Sequence, residues 1–249
     1  MCSVLNILAY AGAPAPMGVP IGYWLIIGAS LLASMIVSGM LKQRFFEYSQ
    51  VPMPLTGAQI AEMMLRQNGI TDVRVTSVAG HLTDHYDPTT KTVNLSEPVY
   101  HRATVAAAAV AAHECGHAIQ HQQAYAWLKF RSKMVPAVSI ASNMLNMLML
   151  VGLFGVGVFN SPTLLWVWVV FFAVTTLFAF VTLPVEFDAS RRALAWIDRS
   201  GLAATMEHRR AKSALFWAAM TYVVAAIGSL AQLLYWVMLL MGSRRQEER

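Results

Sequence analysis

Three histidines and a glutamate crowd the stretch AAHECGHAIQHQQ (residues 111–123): His113, Glu114, His117 and His121. His113 and His117 are four residues apart. On an α-helix that is 400°, so they project within about 40° of each other, one turn apart. Two imidazole nitrogens on one rigid surface can then reach a single metal ion. Glu114 is turned about 100° from His113 and flanks that ion without being forced to bind it. This is H-E-x-x-H, with the glutamate placed to take a proton from water on the metal. Zinc lowers the pKa of its water to about 7 and so makes a nucleophile at neutral pH. Seven His and eight Glu in 249 residues give about 0.006 chance matches. That figure favours a metal site over the competing reading, a pair of satisfied histidines in a buried core.

Catalytic zinc keeps three protein ligands, so a third must come from elsewhere in the chain. TLPVEFDASRRALAWI (182–197) supplies carboxylates, with Glu186 three residues past Leu183, where an apolar run ends. The plain alternative for Glu186 is a helix N-terminal acid. The remaining polar residues have plainer readings. His121 shares the face of His117 one turn on, and reads as an exposed helix-end histidine before a supporting residue of the site. His81 and His85 lie in a strand-turn region, GHLTDHYD, and read as loop residues before substrate-side ones. Arg191 and Arg192 mark a membrane side more readily than an oxyanion site. Cys115 points far from the ligand face and reads as a small packing residue.

These residues sit in a chain built for the bilayer. It is 57% hydrophobic and 12% charged, with mean hydropathy +0.50, against about 25% charged in soluble domains. Four apolar runs meet the length of about 20 residues that a bilayer demands: Ile21–Leu41, Met134–Phe159, Leu164–Leu183 and Ala214–Met241. No Lys or Arg precedes the first, and it exceeds a signal-peptide core in length, so it is expected to be a retained helix. The second run carries Pro136, Ser139, Ser142, Asn143 and Asn146, which suits a helix packed on other helices. FNSP (159–162) reads as the turn of a hairpin joining the second and third runs. No Asp, Glu, Lys, Arg or His falls inside the four runs, which argues against an ion pathway and hence a transporter.

Between the first two runs, TGAQIAEMMLRQNG predicts an amphipathic helix. Thr56 is its N-cap, Ile60, Met63, Met64 and Leu65 form its stripe, and Gly69 ends it. DVRVTSV and TKTVNLS alternate as strands, the second after the turn DPTT. A helix follows from Thr104 to Gln123. Its apolar stretch is too short to span, so it is expected to be buried in a core. Fifteen of the 18 Lys and Arg fall in the two polar regions, about 42–133 and 186–212, and three follow the fourth run. The positive-inside rule then places both polar regions in the cytoplasm and both termini outside, with the basic tail against that arrangement outvoted. The net charge of +5 therefore reports topology rather than a nucleic-acid partner. Cys2 at the terminus and Cys115 in the His motif leave no structural disulfide to expect, which fits a reducing compartment.

GHLTDHYDPTTKTVNLSEPVYHRATVAAAAVAAHECGHAIQH, FVTLPVEFDASRRAL and ALFWAAMTYVVAAIGSLAQLL together resemble the YugP-type family of bacterial membrane zinc metallopeptidases, over about Phe46 to Tyr235. The resemblance implies a multi-pass membrane protein with a neutral zinc peptidase site. His113 and His117 are then zinc ligands, Glu114 the catalytic acid and base, and Glu186 the third ligand. Glutamate-ligand zinc peptidases often carry an Asp four residues after that Glu. Ser190 stands there in this chain, which leaves Asp188 or Ser190 to support the site.

The expected fold is mainly α, a multi-pass helical membrane protein with a small α+β zincin-like catalytic domain. The expected segments are 1–41 (first span), 42–133 (peptidase region), 134–183 (hairpin), 184–213 (segment of the third ligand) and 214–249 (fourth span and tail). The expected activity is zinc-dependent endopeptidase, with one Zn2+ per chain and the site on the cytoplasmic face of the cell membrane. A peptide or protein is the substrate, the lipid bilayer the setting, and membrane-protein partners or a homo-oligomer are possible companions; no nucleic acid is expected. The alternative is a non-catalytic zinc-binding membrane scaffold that recruits other membrane proteins.

Overall fold

The computed structural model describes residues 21–153, 161–202 and 205–247. The chain is mainly α, and among the described residues four helices are long and apolar enough to cross a membrane and one small mixed sheet is present. The elements are α1 (Ile21–Tyr48), α2 (Gly57–Gln67), β1 (Arg74–Val78), β2 (His85–Asp87), β3 (Thr92–Ser96), α3 (Glu97–His101), α4 (Val105–Gln122), α5 (Ala126–Leu153), α6 (Pro162–Ser200) and α7 (Thr205–Glu247). The FNSP turn lies partly outside the described residues. The chain divides into two compact units.

One unit takes the residues up to Met35, Arg131–Val181 and Val223 onward. Its core is aromatic and aliphatic: Tyr23, Leu148, Leu165, Trp168, Val169, Trp236 and Leu240. Tyr23 packs its ring 4.5 Å from that of Trp236 and donates from its hydroxyl to Gln232 Oε1. The pairing satisfies a phenol that would otherwise lose a bond inside an apolar bundle.

The other unit, Ile36–Phe130 with Thr182–Tyr222, holds the sheet and α4. Helix α2 begins at Thr56, whose hydroxyl accepts from the Gln59 amide while Gln59 Oε1 accepts from the Thr56 amide. This reciprocal cap satisfies two amides at a helix start. Gly69, at φ +70°, takes the left-handed conformation that turns the chain out of the helix without a Cβ penalty. Ile60, Met64 and Leu65 are buried, facing the core shared with α4.

The sheet has the order β1-β3-β2. β1 pairs with β3 in parallel, Val75 opposite Val93, and β2 pairs with β3 antiparallel, Tyr86 opposite Val93. The central strand is therefore β3, and its Val93 and Leu95 are fully buried. β2 lies outside the sequence expectation because three residues, His-Tyr-Asp, are too short and too polar to show alternation.

All four long helices run past their expected limits, α1 to Tyr48 and α6 to Ser200. α5 starts at Ala126 and α7 at Thr205, since polar helix formers extend the ladder beyond the apolar run that betrays a span. α6 runs unbroken through Pro184, a residue type that can break or kink a helix. Proline lacks the N–H that would serve the carbonyl four residues back, that of Phe180. Tyr125 Oη donates to the Pro184 carbonyl and Gln120 Nε2 to the Val185 carbonyl, which ties this turn of α6 to the end of α4.

Candidate metal centre

Helix α4 is built to be buried. Thr104 caps it, its hydroxyl accepting from the Ala107 amide, and the alanines 106–109, 111 and 112 are all at most 2% exposed. Alanine is the best helix former and the smallest side chain that keeps a helix stiff. A helix of alanines lets neighbours pack closely on every side. The closest approach is at Gly116, where a Cβ would lie 2.6 Å from the Ala189 carbonyl oxygen and 3.1 Å from its carbonyl carbon and Cα. Only glycine lets α6 come this near α4.

That approach brings three donor atoms together. His113 Nε2 lies 3.3 Å and His117 Nε2 3.7 Å from Glu186 Oε2. One nitrogen or oxygen from each of the three residues falls within 4.8 Å of the others. Around a tetrahedral zinc with bonds of about 2.0–2.2 Å, ligand atoms sit about 3.3–3.6 Å apart. The donor set, two imidazoles and a carboxylate, is also of the kind zinc takes. Residues and spacing therefore fit the ion. The His113 and His117 side chains are 15% and 12% exposed, and Glu186 is 3% exposed. Burial opposes the charged form of His117, but the Glu186 carboxylate beside it prevails and holds the imidazole above its ordinary range.

The far nitrogens of the two imidazoles are held differently. His113 Nδ1 lies 3.2 Å from Ser190 Oγ, and His117 Nδ1 lies 3.0 Å from Gln120 Oε1. Gln120 is fully buried. Its amide nitrogen reaches the Val185 carbonyl at 2.8 Å and Asp188 Oδ2 at 2.9 Å. Asp188 in turn accepts from Arg191 and Arg192. The two alternatives left open for supporting the site, Ser190 and Asp188, thus divide the work: Ser190 touches His113, and Asp188 reaches His117 through Gln120. Gln120 itself is missing from the sequence reading. The available signal was its place one turn after His117 on the same helix.

Glu114 is buried, 8% exposed, and stands outside the three-donor group. Among the described residues, no group hydrogen-bonds its carboxylate. Cys115 turns the other way, its Sγ against the Ala61 carbonyl of α2, and burial pushes its thiol well up. His121 Nδ1 pairs with the Tyr86 hydroxyl of β2 at 2.8 Å. His85 lies in β2, its ring between the Thr83 carbonyl and the Asn94 amide, and His81 is exposed in the loop before it. None of these three histidines joins the group of donors. Arg191 and Arg192 are committed to Asp188.

Comparison with known proteins adds to this geometry. The model of the family described as "Putative neutral zinc metallopeptidase" matches residues 23–241. A protein of Bacillus subtilis (strain 168) described as "Putative membrane protease YugP" is 42% identical over 205 residues, which is 82% of this chain and 89% of that protein. No solved structure matches. The matched span takes in all four apolar helices and every residue of the His-His-Glu cluster, and so the chain belongs to the neutral zinc metallopeptidase family.

Proposed function

We propose that this chain is a membrane-embedded zinc endopeptidase, with His113, His117 and Glu186 as zinc ligands and Glu114 as general base and acid. The observation that carries this reading is the meeting of two imidazole nitrogens and a carboxylate oxygen at 3.3 and 3.7 Å across two helices. When bound, zinc supplies Lewis acidity, lowering the pKa of a water to about 7 and polarising the scissile carbonyl. The protein's own share is positional and protonic. Glu114 takes the proton of the attacking water on its carboxylate and passes it to the departing amine nitrogen. Among the described residues, none hydrogen-bonds its oxygens in competition with that role. The name printed for the Bacillus relative, a membrane protease, accords with a peptide or protein substrate. The loop distribution of Lys and Arg supports a site facing the cytoplasm, built from segments 42–133 and 184–213.

Glu114→Gln is the deciding variant. The amide fills the same space and leaves the three ligands alone, so the protein should retain one zinc per chain by metal analysis and lose peptide hydrolysis. Cleavage at the wild-type rate would remove Glu114 from the mechanism, whereas a wild type that holds zinc but cleaves no peptide would favour a zinc-binding scaffold that recruits membrane proteins.

A further inference from the structure

Gln120 has no place in the H-E-x-x-H pattern, yet it is fully buried and uses its whole amide. Its nitrogen lies between two atoms that can only accept, the Val185 carbonyl oxygen at 2.8 Å and an Asp188 carboxylate oxygen at 2.9 Å. Both amide hydrogens are therefore spent, and the orientation of the amide follows from chemistry rather than assignment. The oxygen must be the atom that faces His117 Nδ1 at 3.0 Å. An amide oxygen has no proton to give, so Nδ1 must carry one. A neutral imidazole carries a single N–H. In the neutral ring that a metal ion requires, Nε2 is then the lone-pair nitrogen, on the side where Glu186 brings its carboxylate oxygen.

We infer that Gln120 is a positioning residue for the metal site, fixing His117 as the Nδ1–H tautomer and anchoring the backbone one residue before Glu186. This rests on the zinc reading above. The same amide holds the ring of one ligand and, through the Val185 carbonyl, the helix that carries another. Asp188 adds to its strength. A carboxylate accepting from the amide nitrogen polarises the group and makes its oxygen a better acceptor. Arg191 and Arg192 hold that carboxylate in place. The partner of His113 works otherwise. A serine hydroxyl donates or accepts as its neighbour requires, so Ser190 supports His113 without dictating its tautomer. The two ligands are held unequally, His117 locked and His113 adaptable.

The test reads the tautomer directly. Metal-free protein labelled with 15N-histidine is studied in detergent, His117 is assigned from the His117→Ala spectrum, and the pH is raised until its signals stop shifting, so that the ring is neutral despite the neighbouring Glu186 carboxylate. The wild type should show a protonated Nδ1 and a bare Nε2 at His117. Gln120→Met, of similar volume and without hydrogen-bonding groups, should lose that preference and bind zinc about 10- to 100-fold more weakly by chelator competition. Ser190→Ala should leave the His117 signals in place. A wild-type His117 protonated at Nε2 overturns the inference without any variant, even if Gln120→Met fails to fold. So does a folded Gln120→Met that keeps the wild-type tautomer and zinc affinity. A wild type that binds no zinc at all would instead overturn the function proposed above, which separates the two failures.

Discussion

Gly116→Ala puts one methyl group where α4 and α6 meet, and its effect can be worked out from distances. The new Cβ would lie 2.6 Å from the Ala189 carbonyl oxygen, about 0.8 Å inside the 3.4 Å at which ordinary contact begins. The obstacle is backbone, so no side chain can swing aside, and α6 must move. Helix propensity favours the change by about 1 kcal/mol, while overpacking costs typically about 1–3 kcal/mol. The net loss of stability is thus modest, about 0–2 kcal/mol. The loss at the metal should be larger. Glu186 lies three residues before Ala189 on the same helix and moves with it, whereas metal sites tolerate only about 0.2 Å in ligand distance. The variant is expected to fold, to melt within a few degrees of the wild type when metal-free, and to bind zinc at least about tenfold more weakly. Chelator competition measures the second effect and thermal unfolding the first. Wild-type zinc affinity in a folded Gly116→Ala would refute the idea that backbone contact at this glycine sets the position of the third ligand.

Glu186→Ala should purify with little or no zinc, because one of three donors is gone, while His121→Ala should keep a full equivalent, since its ring is occupied with Tyr86; metal analysis of both decides whether the ligand assignment holds. Acid should release the metal. The Glu186 carboxylate raises the His117 pKa in the metal-free site, so protons compete for that imidazole from around neutrality downward, and apparent zinc affinity should fall steadily as pH drops from about 8 to 6. A flat profile over that range would count against His117 as a ligand. An impermeant thiol reagent should leave cysteines at exposed positions within 70–100 unlabelled in intact cells, and strong labelling there would reverse the proposed orientation.

Much of this architecture announces itself in the chain. The four apolar runs, the Thr56 cap, and the helix from Thr104 to Gln123 all depend on local pattern, and local pattern survives folding. The motif residues His113, Glu114 and His117 are legible for the same reason, since one helix fixes their spacing. What the sequence hides is non-local. Strand β2 is three polar residues whose role as a strand exists only beside β3. The parallel pairing of β1 with β3 depends on which edge each strand finds. Pro184 reads as a place for a break or kink, and nothing nearby in sequence shows that the helix runs on through it with Gln120 and Tyr125 bonded to the Val185 and Pro184 carbonyls. Gln120 is the clearest case. A glutamine on a helix is unremarkable until the helix bearing Val185 and Asp188 packs against it.

Cys115 sits between the two histidines of the motif, fully buried and with its thiol turned onto the Ala61 carbonyl. Peroxide and disulfide exchange both act on an accessible thiolate, and this sulfur offers neither the charge nor the access. The donors of the metal site are nitrogen and oxygen. Metal centres that use thiolate ligands can shed their ion when a ligand sulfur is oxidised. This one carries its sulfur two residues from each proposed histidine ligand and keeps it out of reach, so thiol oxidation has no handle on the site, and a bound zinc would stay in place while exposed thiols elsewhere in the cell are consumed.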